Sequence, residues 1–212
     1  MMNEERIVTD IREFSKQKYS IYVNEEFAFV LYRGELSAYG LKVGKPLGEK
    51  EYHQIYGELL PKRAKKRCLN LLKSRAYTEK GLRNKLREGG YPPDIIEEAI
   101  GYVKSFHYID DYDYACQYIR CHKEGKSRKR IEEKLREKGV PKELVEQAFL
   151  DTYESGEEEQ LMLRQAQHYL EKKGYVPDSC DWKEKQKLYG FLLRKGIPTR
   201  VIRRVLEGIE DY

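Results

Sequence analysis

The stretch His107-Tyr-Ile-Asp110-Asp111-Tyr-Asp113 places three carboxylates and an imidazole within seven positions. Such a set could hold a divalent metal for hydrolysis or supply an acid/base pair. A carboxylate dyad, however, needs two groups that converge from positions fixed by the fold. Neighbouring residues at one helix start point in different directions. The residues that follow, Tyr114, Ala115, Tyr118 and Ile119, have helical apolar spacing. Asp110 and Asp111 therefore read as the start of a helix, accepting its orphan N–H groups and suiting its dipole. A metal-dependent nuclease using Asp110, Asp111 and Asp113 stays as a competing class, with magnesium-stimulated DNA cleavage as its signature.

Other chemical motifs are weaker. Gly125-Lys126-Ser127 looks like the tail of a P-loop, but Arg120 stands where that loop needs its first glycine. A helix, not a strand, is expected before it. Ser127 is instead expected to cap a helix whose first turn carries Arg128, Lys129 and Arg130. Cations there oppose the helix dipole, which suits a partner that supplies negative charge. A solvated charge run reads the same residues equally well. Cys68, Cys116, Cys121 and Cys180 contain no Cys-x-x-Cys pair and no His at zinc-finger spacing, so reduced thiols and no metal are expected. No Ser/His/Asp or Cys/His signature is present. The expectation is a binding protein without catalysis or cofactor.

The elements that position these residues emerge from a repeat. Residues 82–100, 131–149 and 188–206 align without a gap: Leu86/Leu135/Leu192, Gly90/Gly139/Gly196, Pro92/Pro141/Pro198, Ala99/Ala148/Val205. Apolar residues four apart share a helix face. The Gly fits just past a helix C-terminus, and the Pro opens the next helix. A further helix precedes each copy, over about 62–76, 112–124 and 157–173, with Thr78 and Ser127 at equivalent cap positions. The third copy has a longer inter-helix segment, Gly174 to Asp181. Ahead of the repeats, Ile7–Thr9, Tyr19–Val23 and Phe27–Leu31 are rich in β-formers. Asn24–Glu26 is expected to turn a hairpin, Gly34–Tyr39 to form a short helix, and Glu49–Leu60 a helix running toward Pro61.

The predicted architecture is mainly α: three tandem three-helix repeats (61–109, 110–156, 157–212) in an elongated array, after a small N-terminal β-hairpin and helix extension (1–60). The 212 residues carry a net +5. Residues 1–60 have 8 Lys/Arg against 10 Asp/Glu, residues 61–150 have 22 against 14, and residues 151–212 have 11 against 12. An excess of +8 in the middle third favours an acidic or nucleic-acid partner. Tyr77, Tyr91, Tyr102 and Tyr108 lie among the basic residues, a pattern suited to phosphate contact and base stacking, although helical tyrosines more often edge a core. No apolar run approaches the ~18 residues of a membrane span, and the N-terminus has no signal-peptide pattern. A cytoplasmic, monomeric chain is expected.

Taken in order, "LLKSRAYTEKGLRNKLREGGY", "YIDDYDYACQYI", "GKSRKRIEEKLREKGV" and "FLLRKGIPTRVIRRVL" resemble the RecX family, bacterial regulators of the RecA recombinase. "YSIYVNEEFAFVLYRGELSAYGLKVGKPL" is similar to the β-hairpin extension of some members. The resemblance implies binding in the groove of RecA–single-stranded DNA filaments, inhibition of filament extension, recombinase and co-protease activity, and a place in DNA repair, recombination and the SOS response. It matches the family's Asp-Asp motif to Asp110 and Asp111 with Ala115, its Tyr-Thr pair to Tyr77 and Thr78, and its Gly-Lys-Ser start to Gly125–Ser127. His107 stands where the family usually has Gly. Arg67, Arg75, Arg83, Arg87, Lys126, Arg128 and Arg130 are the expected contacts to DNA phosphates or acidic RecA surface. The alternative is a stand-alone helical-repeat DNA-binding protein.

Overall fold

Asn24 and Glu25 both hold left-handed backbone, with φ of 51° and 70°. That is what a two-residue hairpin turn requires if its twist is to match the flanking strands. The turn joins β2 (Lys18–Val23) to β3 (Glu26–Tyr32), so Glu26 belongs to the strand and not to the turn. β1 (Val8–Ser15) adds antiparallel to β2, giving a three-stranded sheet of order β1-β2-β3 in which Ile21 faces Ile11 on one side and Phe29 on the other. The unit is thus one strand larger than a hairpin. The stretch Asp10–Ser15 extends because β2 pairs with it, in a ladder whose register shifts between Val8 and Asp10 and between Glu13 and Ser15. The structure, a computed structural model, describes residues 5–176 and 180–207. It divides into two compact units, Met1–Asp110 and Asp111–Tyr212.

In the first unit, α1 (Arg33–Ala38) leads to α2 (Glu49–Tyr52), which passes without a break through a π-helical segment, His53–Leu59, into α3 (Leu60–Ser74). The sequence predicted two helices parted at Pro61. Instead Pro61 sits in the first turn of α3, and the widened turn before it closes with Leu60 N–H donating to the Ile55 carbonyl. A proline has no N–H for its own i−4 bond, and a π turn relieves that mismatch without ending the helix. α4 (Glu79–Arg87) and α5 (Pro93–Ser105) complete the first repeat. Ile21, Phe29 and Leu31 of the sheet, Ile55 and Leu60, and Ala64, Cys68, Leu82, Leu86 and Ile100 of the repeat form one buried cluster. Arg63 straps this unit together. It binds the Glu35 carboxylate at 2.6 Å and the Val30 carbonyl at 2.5 Å, and its guanidinium lies over the rings of Tyr32 and Tyr91.

The second unit holds α6 (Asp111–His122), α7 (Arg128–Glu137), α8 (Lys142–Thr152), α9 (Glu157–Glu171), α10 (Trp182–Arg194) and α11 (Thr199–Glu207). Gly90, Gly139 and Gly196 have φ of 74°, 88° and 83°. After each, the next N–H returns to the carbonyl of the leucine at the helix end: Tyr91 to Leu86, Val140 to Leu135, Ile197 to Leu192. This is the left-handed C-terminal cap anticipated from the repeat. The prolines lie one residue earlier than expected: Pro92 and Pro141 are the N-caps of α5 and α8. Gly174 (φ 67°) closes α9 in the same way, and Asp181 caps α10 through the Glu184 N–H. Within the longer Gly174–Asp181 segment, residues 177–179 lie outside the described residues.

Two apolar clusters build the second unit. One contains Ala115, Ile119, Ile131, Leu135, Val145 and Phe149, and the other Ala166, Leu170, Leu192, Ile197, Val201 and Ile202. Polar contacts join the two repeats. Lys123 pairs with Glu157 at 2.5 Å and Arg128 with Glu158 at 3.1 Å. The buried Gln165 amide donates to the carbonyls of Lys123, Glu124 and Lys126. Ser127 stands at the N-cap position of α7, but its hydroxyl makes no cap bond. It donates instead to the Lys195 carbonyl at 2.8 Å, at the end of α10. This corrects the expected cap. A Cβ on Gly196 would fall 2.4 Å from the Ser127 hydroxyl, so the glycine also makes room for this contact.

Candidate basic interaction surface

α6 starts at Asp111, with Asp110 immediately before it and Asp111 and Asp113 in its first turn. Ala115 is fully buried one turn on. Tyr112, between the aspartates, donates to Asp151 of α8 at 2.5 Å, and that hydrogen bond holds the Asp151 carboxyl below the usual range. No group of three or more His, Cys, Asp or Glu side chains among the described residues is placed to hold a metal ion. Thr78 caps α4, accepting from the Gly81 N–H, and Tyr77 packs at the edge of the first core. All four cysteines are free thiols. Burial pushes the Cys68 thiol up to about 11.

The seven basic residues singled out from sequence occupy different situations. Arg67 and Arg130 are exposed and have no ion-pair partner among the described residues. Arg75 is exposed with its guanidinium over the Tyr77 ring at 4.6 Å, and Arg87 donates to the Asn84 amide oxygen. Lys126 leans on Tyr118. Arg83 and Arg128 are committed internally: Arg83 to Glu79 and Glu97, Arg128 to Glu132 and Glu158 while covering the Phe149 ring at 4.5 Å. The negative charge that α7's basic first turn called for is thus partly supplied within the chain. Arg67 lies on the solvent side of α3, which carries six Lys/Arg and no acidic residue over Leu60–Ser74.

Two features were missed in the sequence. Tyr114, Tyr118 and His122, four residues apart on α6, stack as a ladder with centroids 6.3 and 4.0 Å apart, flanked by Lys126 and Lys138. The regular spacing was the available signal. The other is electrostatic. The α10–α11 hairpin, residues 182–206, has eight Lys/Arg against one Glu, whereas the equivalent residues 125–149 have eight against five and 76–100 four against five. Counting by thirds hid this, because acids in α9 and at the C-terminus cancel it.

Residues 64–102, 110–148 and 158–206 match the first, second and third three-helix domains of RecX. The chain belongs to the RecX family. Among relatives named regulatory protein RecX, that of Clostridium botulinum (strain Eklund 17B / Type B) is 25% identical over 96% of this chain and 95% of its own. That of Clostridioides difficile (strain 630) is 28% identical over 97% of each. A crystal structure of regulatory protein RecX shares the fold with a TM-score of 0.64 at 23% identity, covering 96% of this chain and all of that one. RecX from Lactobacillus salivarius gives 0.60 at 24% identity over 71% of this chain. The second RecX domain match opens at Asp110, so the carboxylates that raised the question of catalysis mark a domain start in a family of regulators. No helix among the described residues is long and apolar enough to cross a membrane.

Proposed function

We propose that this RecX-family regulator is a negative modulator of RecA, binding the RecA–single-stranded DNA filament and inhibiting its extension, recombinase and co-protease activities. The repeats 61–109, 110–156 and 157–212 act as successive binding modules, with 1–60 as an extension, in a cytoplasmic monomer. The observation that carries the reading is the set of exposed cations without ion partners among the described residues, Arg67, Arg75, Arg87 and Arg130, joined by Lys126, on a chain of this family. Unneutralised like charges repel each other in the free protein and are relieved when phosphates or acidic side chains meet them. Arg83 and Arg128 contribute less directly, by holding the helices that present the others. Asp110 and Asp111 are structural: loss of Asp110 lowers the melting temperature before it changes affinity.

The test is RecA's ATPase on single-stranded DNA with this protein titrated in. Inhibition well below one molecule per RecA supports filament capping or destabilisation, provided an unrelated basic protein does nothing. Charge reversal at Arg67, Arg75, Arg87 and Arg130 together should abolish it. Retained inhibition by that variant would remove the proposed contacts. No effect at an equimolar ratio despite DNA binding would favour the plain DNA-binding reading, for which the basic α3 is the specific support.

A further inference from the structure

We infer that the α10–α11 hairpin is itself a binding surface for single-stranded nucleic acid, in which Trp182 stacks on a base and the cations beside it hold the phosphates. The inference goes beyond the filament reading, since it concerns contact with a nucleic-acid strand in the absence of RecA.

Folding forces the charge outward. Leu192, Ile197, Val201, Ile202 and Leu206 take the buried side of the hairpin, so its eight cations crowd the remaining surface. Arg204 meets Glu159 at 3.4 Å, and Lys195 lies over the rings of Tyr169 and Phe191. Lys183, Lys187, Arg194, Arg200 and Arg203 are exposed and have no ion-pair partner among the described residues. Arg200 also stands in the first turn of α11, which has no acidic residue, where the helix dipole favours an anion over a cation. Each of these positions is stabilised by bound phosphate.

An apolar element lies beside the cations. Trp182 is the first residue of α10, set there by the Asp181 cap, and is 73% exposed. Leu193, eleven residues on, is 43% exposed. At 100° per residue the two lie within about 20° of each other around the helix, while Lys183, Arg194 and Lys187 follow at roughly 100° to 140° from Trp182. Leu193 also lines a groove of about 650 Å³ whose walls include Lys129, Arg136 and Arg200. A strip offering an aromatic face next to a strip of cations fits a strand whose bases turn one way and whose phosphates turn the other. A membrane surface would need a broad apolar face, and here two apolar side chains stand about 16 Å apart along the axis. A duplex would supply the phosphates but no free base face.

The test uses the full chain without RecA. Trp182 is its single tryptophan, so its fluorescence reports on this site alone. Oligothymidylate should quench that fluorescence along the same isotherm as the anisotropy of the labelled strand. W182A should weaken binding of the strand about tenfold and leave duplex affinity unchanged, while W182F retains most of the affinity. R200E/R203E should lower the slope of log affinity against log salt by about 1.4. R200E places an acid where the α11 dipole favours one, so lost binding there is not lost folding. The inference is overturned if the strand binds without quenching, or if affinity is indifferent to W182A and R200E/R203E. It is also overturned if anionic lipid vesicles quench Trp182 and oligothymidylate does not. If indifference to these variants overturns this inference, RecA inhibition that survives them would leave the filament reading standing alone.

Discussion

The two units answer the same problem, holding small helical repeats together, with different chemistry. In Met1–Asp110 the sheet and the first repeat share one apolar core, and the charge at their junction, Arg63, is held by Glu35, the Val30 carbonyl and two tyrosine rings, although its Nε stays buried without a hydrogen bond. In Asp111–Tyr212 each repeat keeps its own core, and hydrogen bonds and ion pairs link them: Ser127 to Lys195, Gln165 to the 123–126 loop, Lys123 to Glu157, Arg128 to Glu158. Apolar burial is contiguous and cooperative, whereas partly exposed ion pairs contribute ~1 kcal/mol or less each. The first unit should therefore unfold as one body. The third repeat should loosen from the second at lower cost.

Four substitutions of decreasing effect bear on that contrast. Phe29→Ala removes a fully buried ring from the shared core and should cost about 3–5 kcal/mol. Hydrogen exchange should accelerate together in the sheet and in α4–α5. Acceleration confined to the sheet would show two cores where the structure has one. Gly196→Ala imposes a left-handed φ on an L-residue and drives its Cβ into the Ser127 hydroxyl, costing about 1–3 kcal/mol. Its calorimetric trace should split, α9–α11 melting before α6–α8. Gln165→Leu strips three carbonyls of their donor, for about 1–3 kcal/mol, and should raise exchange at the 123–126 loop while leaving the first unit unchanged. Ser127→Ala should cost ~1 kcal/mol.

The smallest effect is in acid. Burial would raise the Glu79 carboxyl, but the hydrogen bond from Lys104 and the charge of Arg83 outweigh it, so its pKa lies below the usual 4.5. In the second unit the Lys123 hydrogen bond lowers Glu157 likewise. A carboxylate held lower in the folded chain than in the unfolded one adds stability above the unfolded value, and that stability is lost as pH falls through the folded one. Thermal melts should therefore fall below about pH 4.5, and E79Q and E157Q should each flatten the decline. An unchanged acid limb in both variants would assign the sensitivity to other carboxylates.

Much of the helical body was legible in the sequence because its signals are local. Gly90, Gly139 and Gly196 with their prolines announce the same turn three times, and each leucine at the helix end accepts the bond that turn requires. Thr78 capped its helix as its type and place foretold. Ser127, at the equivalent position, did not, since the hydroxyl of a buried serine goes to whichever acceptor packing brings nearest. Nothing local distinguishes the two. Helix continuity across Pro61 was misjudged for a related reason: a proline excludes one hydrogen bond, and a π turn can absorb that loss when the flanking residues are already packed.

Of the candidate surface, composition gave the sign and the residue types. The basic α3, the hairpin turns and the aspartates at the start of α6 could all be placed from spacing and charge. Which cations remain free is a tertiary matter. Arg83 and Arg128 look no different from Arg87 and Arg130 in the chain, yet the first two face carboxylates brought alongside them by folding, Glu97 across the α4–α5 turn and Glu158 from the next repeat. The sequence by itself determined how many helices each repeat holds and, Pro61 apart, where they start and stop to within a residue or so, because caps and periodicity act over a few residues. The fold alone decided which cations are neutralised and which have no acidic partner among the described residues, because electrostatic pairing depends on distances that only packing sets.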